Sequence, residues 1–437
     1  MKPLFLRGFF YLLIGAPGKI RTPDPLVRSQ VLYPTELQAL DFYSTIINEL
    51  IKCKLNLLLF TLQNLIQTYN SNMKYNSIRF AILITIFSTS IYAEVKSKVI
   101  YKIQAMSETP QIITKGDAAD DPAIWLNTIN PLNTLIFGTD KRSGIYTYDL
   151  KSNEIDYSKI GLINNIDVRS MDVTNDDNED IGSYSFLFAS NRTSNTLDVW
   201  FFSDKETNDK IDKGVFKLPL TPSVSARTNM IVYGVCGGLD PYHGLIAFIT
   251  EDEGSQVQMW RYTALGLSLV ATFDNGNAVQ SEGCVYDDQN RTLLISEEQD
   301  RGILRAYKID NNLDFLNPTV IDTRDGYIVG DPEGISIYKT SDIEGYIVLS
   351  SQGDNTINIY NRQLPYDYLG SFEIEKTDLI DGVSDTDGVD SINFNFNANL
   401  PNGLLVVQDG WNDLTGTPER QNFKYISFKQ IIDKLNP

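Results

Sequence analysis

Carboxylates recur at one place in a repeated pattern of this chain. Short apolar segments open on acids: Asp120 and Asp121 in DDPAIWL (120–126), Asp167 in NNIDVRSMDV (164–173), Glu282 in SEGCVYD (281–287), Asp331 and Glu333 in DPEGISIY (331–338), and Asp385 and Asp387 at the head of TDGVDSINF (386–394). The remaining segment, VYGVCGGL (232–239), offers Tyr233 instead. Asp140, Glu251, Glu297, Glu298 and Asp409 stand at the ends of the apolar runs that follow. So many acids at one rim repel, and they stay ionised together only with cations among them. Oxygen-only ligands suit Ca²⁺. The single histidine, His243, excludes His-rich zinc or dinuclear centres. A few bases are interspersed: Lys141 and Arg142 after Asp140, Arg192 after Asn191, and Arg169. Calcium beside Lys and Arg makes a site for a polyanion, most simply phosphate.

These residues need elements that bring distant segments to one rim. Each acidic segment precedes a hairpin pattern of apolar strand, polar turn and second strand, for example TLIFGTDKRSGIYTYDL (134–150) and GYIVLSSQGDNTINIYNR (345–362). The pattern returns roughly every 50–60 residues, a period in the range of propeller blades. Val, Ile, Tyr and Phe dominate, and helical periodicity is almost absent. One inner strand, a hairpin and an outer strand make a four-stranded unit. The expected fold is therefore all-β, a six-bladed β-propeller of four-stranded antiparallel blades spanning residues 94–437, with the acids where the inner strands meet the channel. The four tryptophans are expected to pack between blades.

The chain carries 56 acidic and 37 basic side chains, for a net charge of −19. Residues 1–93 hold nine of the bases and four of the acids, which leaves 28 against 52 in residues 94–437. That balance argues against nucleic acid as a partner. From Met73, Lys74 and Arg79 precede an apolar run, Phe80 to Ile91, and the small residue Ala93. This is the layout of a secretory signal peptide (73–93), too short to span a membrane, and it predicts a secreted or periplasmic protein free of the membrane after cleavage. A signal peptide begins at a start Met, so residues 1–72 read as a mis-assigned extension, and GAPGKIRTPDPLVRSQVLYPTELQA within them resembles translated transfer-RNA gene sequence. Cys236 and Cys284 fall on neighbouring inner strands; two buried free thiols are expected, with a disulfide as the alternative. The run NDDNED (175–180) reads as a solvated loop. Nothing signals oligomerisation, so a monomer is expected.

Taken in order, DAADDPAIW (117–125), NNIDVR (164–169), SNR (190–192), SEG (281–283), DPEGISIY (331–338), SSQG (350–353), SDTDG (384–388) and QDG (408–410) resemble the β-propeller phytases from about residue 108 to the C-terminus. The resemblance implies a six-bladed propeller that binds several Ca²⁺ ions. It implies a 3-phytase, a phosphoric monoester hydrolase that takes phytate (myo-inositol hexakisphosphate) or its calcium complex and uses metal-activated water at the channel mouth. Position by position, it makes Asp120, Glu282, Glu298, Asp331, Glu333, Asp381 and Asp387 calcium-binding or calcium-proximal acids. It makes Lys141, Arg142, Arg192 and Tyr233 the phosphate contacts. The chain departs from the family where a third-turn lysine near a second phosphate site is replaced by Glu251-Asp252-Glu253. Two rival readings are a non-catalytic calcium-binding propeller and a calcium propeller enzyme of the gluconolactonase type; the latter needs no basic phosphate clamp, so Lys141 and Arg192 argue against it.

Overall fold

A computed structural model describes residues 97–436, apart from 175–179, 277, 300, 314, 316, 415 and 416. The expected signal peptide and extension lie outside the described residues, as does most of the acidic run at 175–180. The described chain forms six sheets, each of four or five strands. Their inner strands are Ala119–Trp125, Ile163–Thr174, Val232–Asp240, Ser281–Asp287, Pro332–Lys339 and Val389–Ile392 for blades one to six. Within each of blades one to five the chain runs outward through antiparallel neighbours, so the repeat expected from the sequence is the repeat observed.

Strands buried on both faces explain why the repeats read as near-continuous apolar runs. The core is accordingly divided into six clusters, one at each junction between blades. Between blades one and two, Trp125, Phe137, Leu187 and Trp200 are packed at no more than 1% exposure. Burying side chains of this size contributes about 1.5–3 kcal/mol each. Their polar atoms are met as well: the indole N–H of Trp125 donates to Ser185 Oγ at 2.7 Å, and that of Trp200 to the Pro219 carbonyl at 2.8 Å. Trp260 is also buried, whereas Trp411 is half-buried.

The ring is closed by a segment that the repeat pattern did not flag. Blade six takes its outermost strand from the N-terminal side, where Ser107–Glu108 pairs antiparallel with Asn422–Ser427. Just before it, Ile100–Gln104 adds a parallel fifth strand to Tyr368–Glu375 of blade five. The fully buried Lys424 fastens this closure. Its ammonium pairs with Glu108 of the N-terminal strand, with Asp381, and with Asp409 at 3.1 Å. Two short helices, Asp204–Asp212 and Lys429–Leu435, were not expected. The first is polar on nearly every side and is started by Ser203, whose side chain accepts the Glu206 N–H, so it has no apolar stripe to read.

One expectation is corrected. Cys236 and Cys284 are joined as a disulfide, not free thiols. Packing of adjacent inner strands brings their Cα atoms to 5.6 Å, a separation that sequence spacing cannot give.

Removing one partner of a buried ion pair leaves uncompensated charge. Lys424→Ala should therefore cost about 3–5 kcal/mol, read as a fall in denaturant midpoint. Lys102→Ala, which breaks an exposed pair with Glu375, should leave that midpoint nearly unchanged.

Candidate functional site

An irregularity repeats at the head of the inner strands. In blades one to five, two residues of the inner strand face one of its neighbour, as the register shifts between Ala119/Pro122, Ile163/Ile166, Val232/Val235, Ser281/Cys284 and Pro332/Ile335 record. In blade six the regular ladder starts only at Val389, just after Asp387 and Gly388. A bulge re-aims a side chain and ends regular pairing. The re-aimed residue is Asp120, Asn164, Tyr233, Glu282 and Glu333 in turn, and Asp387 takes the matching place in blade six. The residue after it is glycine in blades three to six, because the next inner strand lies against it. A Cβ on Gly234 would come within 1.8 Å of the Glu282 carbonyl oxygen, and one on Gly388 within 2.5 Å of that of Asp120. Close backbone approach thus draws the six positions together.

A second set surrounds them. Lys141, Arg192, Asp252, Glu298 and Gln352 each donate their backbone N–H to the carbonyl just ahead of the inner strand of their own blade, at 2.7–3.1 Å. Their side chains split by charge: cations on blades one and two, acids on blades three and four.

The geometry is dense. Carboxylate oxygens of Glu282, Glu298 and Glu333 lie within 4.8 Å of one another. The Lys141 ammonium stands 2.6 Å from Asp117, 3.0 Å from Asp120 and 3.3 Å from Asp387. Asn164 Nδ2 donates to Asp120 at 3.2 Å and to Glu282 at 2.8 Å, and Gln352 Nε2 donates to Asp387 at 2.6 Å. The Tyr233 hydroxyl donates to Glu298 at 3.3 Å. The Arg192 guanidinium lies 5.9 Å from the Tyr233 ring centroid, and its Nη2 reaches the Lys141 carbonyl at 3.5 Å.

Burial and mutual repulsion set the protonation. Burial, then Asp120 and Glu298, push Glu282 up to about 8. Burial and then Asp331 push Glu298 to about 7. Burial raises Glu333 and Asp387 well above the carboxylate range, Glu333 helped by Glu282 and Glu298. Burial alone would lower Lys141, but Asp120, Asp387 and Asp117 outweigh it and hold the ammonium well above its usual range. Such a pocket favours positive charge.

Of the residues expected from the sequence, Asp120, Glu282, Glu298, Glu333, Asp387, Lys141, Arg192 and Tyr233 come together here. Asp331 lies at the edge, near Glu298 and bound to Arg324. Two others engage elsewhere: Asp381 pairs with Lys424 and accepts the Asp413 N–H at 2.6 Å, and the Arg142 guanidinium donates to the Lys115 carbonyl at 3.1 Å. Several acids expected at the rim are used in the frame. Glu297 pairs with Arg305 at 2.7 Å. Asp121 accepts the Ile166 N–H of blade two. Asp167 accepts the Gly237 N–H of blade three and pairs with Arg169 at 2.6 Å. Asp167 and Arg169 line the central channel, a cavity of about 460 Å³. The sequence reading missed Asn164, Gln352 and Asp117. The first was signalled by its register, since Asn164 holds the place that acids hold in blades one, four, five and six.

A family model described as phytase matches residues 73–437. The chain is 32% identical over 370 residues to the 3-phytase of Bacillus subtilis (strain 168), covering 81% of this chain and 91% of that one. Among solved structures it is similar to an α-L-arabinanase of Penicillium chrysogenum complexed with arabinobiose (TM-score 0.48, 10% identity, 75% of this chain and 98% of that one). It is also similar to a luciferin-regenerating enzyme (TM-score 0.45, 12% identity, 73% and 95%). On the family match and the Bacillus relative together, this chain belongs to the phytase family.

Proposed function

We propose that the mouth hydrolyses phosphate monoesters of phytate with calcium held among its carboxylates. One observation carries this reading: three carboxylate groups converge within 4.8 Å beside Lys141 and Arg192, so the site offers both cation ligands and anion clamps. The donor set fits Ca²⁺, because it is all oxygen and two of its buried atoms, Glu333 Oε2 and Asn164 Oδ1, have no hydrogen-bond partner among the described residues. Asp120, Asn164, Glu282, Glu298, Glu333 and Asp387 would hold the ions. Calcium bound there would lower the pKa of a water and neutralise phosphate oxygens.

The chain's own residues do the remaining work. Arg192, whose buried Nε has no partner among the described residues, and Lys141 face the charge that spreads over the transferred phosphoryl group. Tyr233 fixes the orientation of Glu298 through its hydroxyl. No covalent enzyme intermediate is needed. His243 sits instead at the turn of the third blade, where its backbone N–H donates to Asp240. Asp252, in the outer position that carries cations on blades one and two, weakens the hold on a second phosphate group. We read the protein as exported and monomeric, with translation starting at Met73, the residue at which the family match begins.

Arg192→Ala should lower kcat for phosphate release from phytate by roughly a hundredfold; unchanged turnover contradicts the clamp. Asp252→Lys should lower KM for phytate in a phosphate-release assay, and an unchanged or higher KM removes the second-site reading. Exhaustive chelation should abolish activity and lower the melting temperature, since bound metal stabilises the folded state; full activity in chelator excludes calcium chemistry. The pH dependence has a definite sign. Ligand carboxylates must ionise to bind a cation, so calcium affinity should rise from pH 5 to 8 with proton release, by calorimetry in buffers of different ionisation enthalpy. In chelator the trend reverses. The folded state holds protons on Glu282 up to about 8 against 4.5 unfolded, so stability should fall as pH rises through that window.

A further inference from the structure

Behind the mouth stands a third set of residues that never faces substrate. Two positions before Lys141, Arg192, Asp252, Glu298, Gln352 and Gly410 are Thr139, Ser190, Thr250, Ser296, Ser350 and Gln408. All six are 0% exposed. They sit on the second strand of each blade, opposite the bulge in blades one to five and beside the strand head in blade six.

Each one bonds backbone that the irregular strand head leaves out of the ladder. Within the blade, Thr139 Oγ1 accepts the Asp121 N–H at 2.9 Å, Ser190 Oγ that of Asn165 at 3.0 Å, Thr250 Oγ1 that of Gly234 at 2.8 Å, and Gln408 Oε1 that of Asp387 at 2.7 Å. Five of the six, all but Thr139, reach the next blade. Ser190 donates to the Tyr233 carbonyl, Thr250 to that of Ser281 at 2.6 Å, Ser296 to that of Glu333 at 2.7 Å, Ser350 to that of Asp387 at 2.7 Å, and Gln408 Nε2 to that of Ala119 at 3.2 Å. Every acceptor is the carbonyl of a mouth residue or of the residue just before it.

Buried hydroxyls are not in themselves informative. Thr147, on the third strand of blade one, is also 0% exposed, and its Oγ1 has no partner among the described residues. The six differ because they hold one structural place and all bond the backbone of a strand head, in their own blade or in the next. A Ser or Thr hydroxyl suits that place, since it can accept from one blade and donate to the next, as Ser190 and Thr250 do.

We infer that Thr139, Ser190, Thr250, Ser296, Ser350 and Gln408 are positioning residues. They fix where Asp120, Tyr233, Glu282, Glu333 and Asp387 point: five of them tie a strand head to the neighbouring blade, and Thr139 holds the head of its own. The consequence for catalysis rests on the calcium-dependent hydrolysis proposed above; the positioning itself does not.

Ser350 gives the test, because its oxygen binds the Asp387 backbone and is remote from substrate. Outer-shell partners of this kind typically change metal affinity tenfold or more. Calcium titration by calorimetry should give an affinity about tenfold weaker for Ser350→Ala. Ser350→Thr, which keeps the hydroxyl as blades one and three do, should restore it to within about twofold. Thr147→Val controls for loss of a buried hydroxyl as such and should leave affinity and kcat unchanged. Equal affinity and kcat in Ser350→Ala and the native protein overturns the inference, as does an equal loss in Thr147→Val. If the native protein takes up no calcium, the metal reading of the mouth fails instead. The inference then stands or falls on crystal structures of the native protein and Ser350→Ala: a displaced Asp387 carboxylate supports it, and an unmoved one overturns it.

Discussion

One inserted residue at the head of each of five inner strands is the constraint on which the site depends. A regular strand would alternate its side chains between the two apolar faces of the blade. The bulge breaks that alternation at one level of the ring and releases side chains toward the channel mouth. Glycines 234, 283, 334 and 388 let the inner backbones meet at this level, so that groups from different blades fall within a few ångströms of each other. Circular closure then turns a local irregularity into a converging site. No single blade brings Glu282, Glu298 and Glu333 together; the ring does.

The electrostatic cost of this convergence is large, and the rest of the molecule is arranged to bear it. Buried acids at close range repel, and the fold keeps them there because six apolar junctions hold the blades in place. Lys141 offsets part of the charge from the first blade. The last junction matters equally, since a propeller open at one seam could not keep Asp387 opposite Asp120. There the N-terminal strand completes blade six, and Lys424 binds it to Asp381 and Asp409. Asp409 in turn accepts the Ser384 N–H at 3.0 Å, in the loop that leads to Asp387. Ring closure and delivery of a mouth carboxylate therefore share one buried ion cluster.

The mouth is also lopsided. Cations stand on blades one and two, and acids on blades three and four. A phosphoester over this surface meets hydrogen-bond donors on one side and, on the other, acids suited to divalent cations. Direction is built into the site before any substrate arrives. The same asymmetry separates the outer positions in charge, although their backbones bond identically.

Much of this was written in the order of residues. Alternating apolar runs and turns fix strands and hairpins, because strand pairing within a blade is local in sequence. The return of acids at matching points of successive repeats marks the rim, because a repeat fold places equivalent positions at equivalent heights. Other features needed the folded ring. Asp167 and Glu297 look like rim acids in sequence, yet one bonds the next inner strand and the other pairs with Arg305, since a shift of one residue reverses the direction of a side chain. The pairing of Cys236 with Cys284, the use of Glu108 to close blade six and the gathering of Asp381 to Lys424 all join groups far apart in the chain. Periodicity reports which residues share a face, and only packing between blades decides which of them meet.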